Sequence, residues 1–288
     1  MKATIKHILL STVILLLLLL IVYLWFVSYG QQQNDNNRIN YVEIEDIYEP
    51  TFTATQLNDK LESFFEKAQS DSLEKMFLEW NSEIEPNSDV FISQNEYINA
   101  VFDVYKEFYK PLGILKFEDY GWTSERNSKS KYVVVQNKIF FSILNNDNLN
   151  SFKWGKSQKD SIVNFRPPTS LEKDKVLYLT DEYADALNIF LGTESTKVGE
   201  EGLMNPSRPK GESVGRYEML LPYIPILHGH WGGYWHLETY PYVRIIIFNK
   251  TLTKAEVAFR IDYYGGETIL EKEGERWVIK KSEVTWIE

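Results

Sequence analysis

The longest apolar stretch of the chain, Ile8 to Val27, carries no charge and is interrupted only by Ser11, Thr12 and the aromatics near its end. At about 1.5 Å per helical residue it covers roughly 30 Å, the thickness of a bilayer's hydrocarbon core. It is hydrophobic on every face, whereas a helix at the edge of a globular core keeps one polar side. The pattern predicts a transmembrane helix over residues 8–28. Lys2 and Lys6 precede the run, while Tyr23, Trp25, Phe26 and Tyr29 gather at its far end. Positive flanks stay inside and aromatic rings mark the interface. This orientation makes residues 1–7 a cytoplasmic tail and puts the bulk of the chain outside the cytoplasm. The competing reading is a cleaved signal peptide, for which Ser28-Tyr29-Gly30 offers a small-x-small site. Against it, the run exceeds the usual apolar region of about 7–15 residues.

Polar residues from Gln31 to Asn37 read as part of a stalk over 29–52, with a folded domain from 53 to 288. The first part of that domain, 53–111, has helical periodicity. Thr53 and Gln56 form a capping-box pair ahead of Leu57, Leu61, Phe64, Phe65 and Ala68. A second helix is expected from Ser72, with Leu73, Met76, Phe77 and Trp80 on one face. Ser93 and Glu96 suggest a capping box for a third, carrying Val101, Phe102, Tyr105 and Phe108 and stopped by Pro111.

Beyond Pro111 the pattern turns to strands: Ile114 to Phe117, Tyr132 to Val135, Ile139 to Ile143 and Val176 to Leu179. Thr180 is placed to cap one more helix, with Tyr183, Leu187, Phe190 and Leu191 as its apolar stripe and Gly192 as its stop. The stretch from Thr193 to Arg216, rich in Gly, Pro and charge, reads as a long loop. Near the C-terminus, Val243, Ile245 and Ile247 alternate with Arg244 and Ile246. After a turn at Asn249, Ala255, Val257, Phe259 and Ile261 alternate with Glu256, Arg260 and Asp262. Gly265-Gly266 is expected to make the next turn and Gly274 the one after. Trp277 to Ile279 and Val284 to Ile287 follow, either as two β segments or as one bent strand. The class is α+β, with helices packed on a curved antiparallel sheet that ends in a meander.

The meander, with Gly265-Gly266, Leu270 to Gly274, Trp277-Val278-Ile279 and Trp286, resembles the C-terminal half of the nuclear transport factor-like cone fold, the SnoaL-like superfamily. The resemblance covers residues 240 to 288. It implies helices wrapped over a strongly curved sheet around a pocket, in a superfamily holding both enzymes and binding modules, and it transfers no catalytic residue. The same likeness suggests the outer side of a bacterial-type inner membrane as the location.

Charge and composition narrow the chemistry. The chain has no cysteine, which removes disulfides, thiolate ligands and thiol nucleophiles. Its net charge of −10 and the absence of a long basic run argue against nucleic acid as a partner. Arg126, Lys129 and Lys131 are the densest basic cluster and read as a solvated loop.

Three of the four histidines fall between His228 and His236, and Glu238 follows closely. On a strand, His228 and His230 share a face and suit a divalent ion such as zinc, with Glu238 or His236 completing the shell. A two-residue hairpin loop at Gly232-Gly233 would pair His230 with Trp235 and leave His236 on the other face. The competing reading is an aromatic hairpin held by imidazole hydrogen bonds, or one whose Trp231, Tyr234 and Trp235 stack on a ligand. Arg244, Arg260 and Asp262 share a polar register, which suits either a solvated outer face or a polar pocket wall beneath the helices. Gly211 to Gly215 matches a nucleophile elbow, but breaker-rich sequence precedes it instead of a strand. Asn249-Lys250-Thr251 fits a glycosylation acceptor at a turn.

These readings converge on a membrane-anchored extracytoplasmic domain that binds a small ligand or an envelope partner, the latter through the 193–216 loop. No catalytic residue and no resident cofactor are assigned. A metal-dependent hydrolase using His228 and His230 is the alternative.

Overall fold

The computed structural model describes residues 40–43, 52–92, 95–109, 130–191, 213–228, 235–237, 241–261 and 264–287. The stretch 8–28 expected to span a membrane, the strand expected at Ile114 to Phe117, and Ser93, Pro111 and Gly192 lie outside them. Among the described residues no helix is long and apolar enough to cross a membrane.

In chain order the elements are β1 (Asn40–Glu43), α1 (Ala54–Glu66), α2 (Ser70–Glu83), the single turn α3 (Asp89–Ile92) and α4 (Glu96–Phe108). Then come β2 (Val133–Gln136), β3 (Ile139–Ile143), β4 (Asp160–Val163), β5 (Val176–Leu179), α5 (Asp181–Leu191) and α6 (Ser213–Leu220). The chain continues with β6 (Ile226–His228), β7 (Trp235–Leu237), β8 (Tyr242–Phe248), β9 (Lys254–Ile261), β10 (Tyr264–Glu273) and β11 (Arg276–Ile287). The fold is mixed α+β, with helices against a curved sheet ending in the C-terminal strands.

Seven strands form the main sheet in the order β1-β4-β3-β8-β9-β10-β11. β1 is parallel to β4, β3 is parallel to β8, and β8 to β11 run as an antiparallel meander. The sheet begins earlier than composition suggests, because residues 40–43 pair with 160–163. Two small sheets, β2 with β5 and β6 with β7, lie apart from it. Gln136 joins the first of these to the large one. Its side-chain oxygen accepts from Val243 N at 2.8 Å and its amide donates to Val243 O at 3.1 Å.

The helices form where their apolar stripes predict, with local corrections at the ends. Thr53 makes both bonds of its capping box with Gln56, at 3.3 Å and 2.9 Å. Ala68 lies past the end of α1, exposed and with φ of 51°, so it ends the helix instead of extending its stripe. α2 starts at Ser70, two residues before Ser72. The cap of α4 is Asn95, whose side chain accepts from Tyr97 N and Ile98 N, a geometry that satisfies two orphan donors of the first turn. Thr180 caps α5 through a bond from Tyr183 N at 3.4 Å. The last part of the expected 193–216 loop belongs to α6. There Gly215 lies against the Phe65 ring, and Arg216 pairs with Glu62 at 2.9 Å and donates to Phe190 O at 2.8 Å.

One core unites helices and sheet. Phe77 stacks on Trp80, Tyr132 and Tyr223, Trp80 stacks on Tyr183 at 4.2 Å and donates to Tyr178 O, and Phe108 of α4 meets Phe259 of β9 at 5.3 Å. Val257, Phe259 and Ile261 face this core, as their alternation predicts. β8 departs from simple alternation. It carries one extra residue, Arg244, between the pairs Val243–Phe259 and Ile245–Ala258, so Val243, Ile246 and Phe248 face the helices while Ile245 and Ile247 face away. A bulge shifts the period-2 pattern by one residue and bends the strand.

The expected turn at Gly265-Gly266 is also displaced. Both glycines lie inside β10, at a bulge against β11, because Tyr264 already pairs with Ile261. Their role is close approach. A Cβ at Gly266 would stand 2.4 Å from both Glu283 O and the Phe259 ring.

Candidate functional site

The face of the sheet turned away from the helices carries a second, smaller apolar cluster. Leu144, Ile245, Ile247 and Ala258 are buried there, with Phe140 of β3 and Leu149 and Phe152 packed against them. The cover is the β3–β4 connection, residues 144–159, which crosses this outer face. It is fastened at several points. Leu144 N donates to Phe248 O at 2.9 Å, Lys250 N to Asn146 O at 3.0 Å, and Ser142 Oγ to Gln158 O at 2.7 Å. Asn249 holds the β8–β9 turn to it. Its amide donates to Asp147 Oδ1, Thr251 Oγ1 and Thr253 Oγ1, and its carbonyl accepts from Thr253 N and Lys254 N. With only 1 % of Asn249 exposed and its amide engaged, the apparent glycosylation acceptor is a structural turn residue.

Past Phe152 the connection turns at Gly155, whose φ of +79° suits glycine, and presents Trp154 with 53 % of its surface exposed. The Phe152 and Trp154 rings meet edge to face at 5.3 Å. Across the sheet, Tyr242, Arg260, Gly265 and Trp286 form one cross-strand row. Gly265 lets the Trp286 ring lie over the backbone, since a Cβ there would come within 1.8 Å of Trp286 Cε2.

These features converge on Arg244. The bulge sets its guanidinium 5.0 Å from the Trp154 ring centroid and 5.9 Å from that of Trp286. Lys159 Nζ lies 5.2 Å from the Trp154 centroid. Burial lowers the Lys159 pKa, and the nearby Arg244 lowers it further. Among the described residues neither cation has a carboxylate partner, although the chain as a whole is strongly acidic. Two aromatic faces and two cations thus share one surface patch. Cations against aromatic rings in partly desolvated surroundings hold their charge where a small anion can reach it.

Arg260 is on the same side of the sheet but only 4 % exposed. Arg244 and Arg260 are not directly opposite each other: Arg260 pairs with Tyr242, and Arg244 is the extra residue of the bulge; Asp262, expected in the same register, lies outside the described residues. Neither lies beneath the helices. Two rows along the same face Glu256 is half-buried, and burial together with Glu267 raises its pKa to about 7.

The histidine-rich stretch is placed by its backbone only. β6 and β7 pair antiparallel with His228 opposite Trp235, Leu227 opposite His236 and Ile226 opposite Leu237. A two-residue loop at Gly232-Gly233 would instead have paired His230 with Trp235, so the ladder is set two residues further from those glycines. His236 is out of step with His228 by one register position. His230, Trp231, Tyr234 and Glu238 lie outside the described residues, as do the side chains of His228, Trp235 and His236. No cluster of three or more His, Asp or Glu placed to hold a metal occurs among the described residues.

The sequence singled out Arg244 but not its companions Trp154, Lys159 and Trp286 as a site. They are separated by up to 132 positions, and no local spacing signals a group assembled from a loop, a bulge and the last strand. No family model matches the chain, and no curated protein and no solved structure matches it significantly.

Proposed function

We propose that this chain is a membrane-anchored extracytoplasmic domain that works by binding, with its ligand site on the outer face of the sheet at Trp154, Lys159, Arg244 and Trp286. In this reading residues 1–7 are cytoplasmic, 8–28 span the membrane, and the cone-like domain is held outside. The observation that carries it is the Arg244 guanidinium within reach of two exposed tryptophan rings, with Lys159 beside it and no carboxylate partner among the described residues. Such a patch suits a ligand bearing negative charge, because each ion pair formed there replaces hydration that the rings have already thinned.

The site is tested with the full chain in nanodiscs of neutral lipid, titrated with inorganic phosphate, glycerol 3-phosphate and glucuronate while tryptophan emission is followed. A saturable change with at least one of these anions, weakened about tenfold or more by Arg244→Gln, is expected. No saturable response to any of them overturns the site. Orientation is tested separately. Alkaline phosphatase fused after Glu288 is expected to be active and a cytoplasmic reporter at the same place silent, and the reverse pair overturns the topology.

A further inference from the structure

One member of the cationic tryptophan patch, Lys159, stands beside the point where the sheet receives the chain from its N-terminal side. β1 is parallel to β4 with Asn40 opposite Asp160, and Lys159 immediately precedes Asp160. If the anchor ends at Ser28, the eleven residues 29–39 separate it from β1. Fully extended, that length reaches about 40 Å at most, which is comparable with the diameter of a domain of this size. The tether is therefore short enough to keep the domain beside its bilayer and long enough for this part of it to reach the headgroups.

The residue types on the patch are those that partition to a membrane interface. Tryptophan rings with an apolar body and a polar edge settle at headgroup depth, and arginine and lysine are drawn to anionic headgroups within a Debye length. Trp154 and Trp286 are both exposed, at 53 % and 36 %. The charge around them sets the pose. Glu267 and Glu283 occupy the next cross-strand row with Ala258, so contact is limited to the end of the face that holds Arg244, Lys159 and the two rings.

We infer that the ligand of this patch is the anionic phospholipid surface of the chain's own membrane, which Trp154, Lys159, Arg244 and Trp286 engage at headgroup level to fix how the domain stands on the bilayer. This rests on the anchor and binding site proposed above. Free phosphate esters share the chemistry that Arg244 and Lys159 recognise, and the experiment separates the two sources.

The full chain is placed in nanodiscs containing either phosphatidylglycerol or only phosphatidylcholine, each with brominated acyl chains that quench tryptophan near the bilayer. Trp25 and the other tryptophans are accounted for by a Trp154→Phe/Trp286→Phe variant. In the anionic discs the parent is expected to be quenched more than this variant. Lys159→Gln/Arg244→Gln, checked for an unchanged thermal midpoint, is expected to reduce that excess at least twofold, and the excess should vanish in neutral discs or at 1 M salt. Lys159→Gln alone, at a half-buried loop position, serves if the double variant is destabilised. Equal quenching of parent and variant overturns membrane docking. If glycerol 3-phosphate nevertheless shifts emission through Arg244, the soluble-anion site survives without it, and if neither response occurs both readings fall.

Discussion

The indole of Trp286 occupies the space that a side chain at Gly265 would need, its Cε2 lying 1.8 Å from where a Cβ would be built. The same ring is within cation–π distance of Arg244. One missing methyl group on β10 therefore helps to assemble a surface site from β8, β11 and the β3–β4 connection. The neighbouring Gly266 meets different atoms, a backbone carbonyl and a core ring.

That difference predicts opposite outcomes for two similar substitutions. Gly265→Ala is relieved by swinging out a partly exposed indole, so it should cost only about 1 kcal/mol while altering tryptophan emission and weakening any ligand that depends on Trp286. Gly266→Ala drives a methyl into Glu283 O and Phe259 and should cost about 3 kcal/mol. Chemical denaturation of the two variants measures both; equal costs would mean that Trp286 is as firmly fixed as Phe259.

Glu256 makes stability depend on pH. Its pKa is about 7 in the folded chain against an ordinary value of 4.5, so the folded state binds the proton more tightly than the unfolded one. The contribution is fully present below about pH 4.5 and is lost as pH rises through 7. Glu256→Gln should match the parent at pH 4 and exceed it by roughly 1–3 kcal/mol at pH 8. Parallel pH profiles of unfolding midpoint for parent and variant would show that Glu256 is not the titrating group. The alternation alone gives this residue a freely solvated place; its burial is decided by tertiary packing.

Asn249 makes five side-chain hydrogen bonds in the β8–β9 turn. Asn249→Ala leaves two backbone N–H groups and three side chains without that partner and should cost about 2 kcal/mol or more. Thr251→Ala, which also destroys the glycosylation sequence, should cost less. Expression in a glycosylating host should add no glycan at Asn249, read by mass; a glycosylated, stably folded product would contradict the placement of the turn.

The binding reading expects no stoichiometric metal in the purified chain, before or after incubation with zinc. Elemental analysis beside His228→Ala/His230→Ala decides this. A stoichiometric ion lost in the double variant would favour the alternative of a metal-dependent hydrolase, with Glu238 or His236 as the further ligand.

Local sequence determined those parts of the fold whose physics is local. The α1 capping box, the stripes of α2, α4 and α5, the span of β3 and β5 and the core register of β9 follow from repeats of 3.6 and 2 residues and from short-range capping bonds. Tertiary structure decided what depends on a second element. The bulge at Arg244 arises in pairing with β9, the two glycines of β10 are required by Trp286, Glu283 and Phe259, and the outer face is covered by a connection whose sequence has no sheet periodicity. The candidate site belongs to this second kind. Arg244 was legible as a polar residue in a strand. Its meeting with Trp154, Lys159 and Trp286 was not, because a period within one segment carries no information about which distant segment will lie across it.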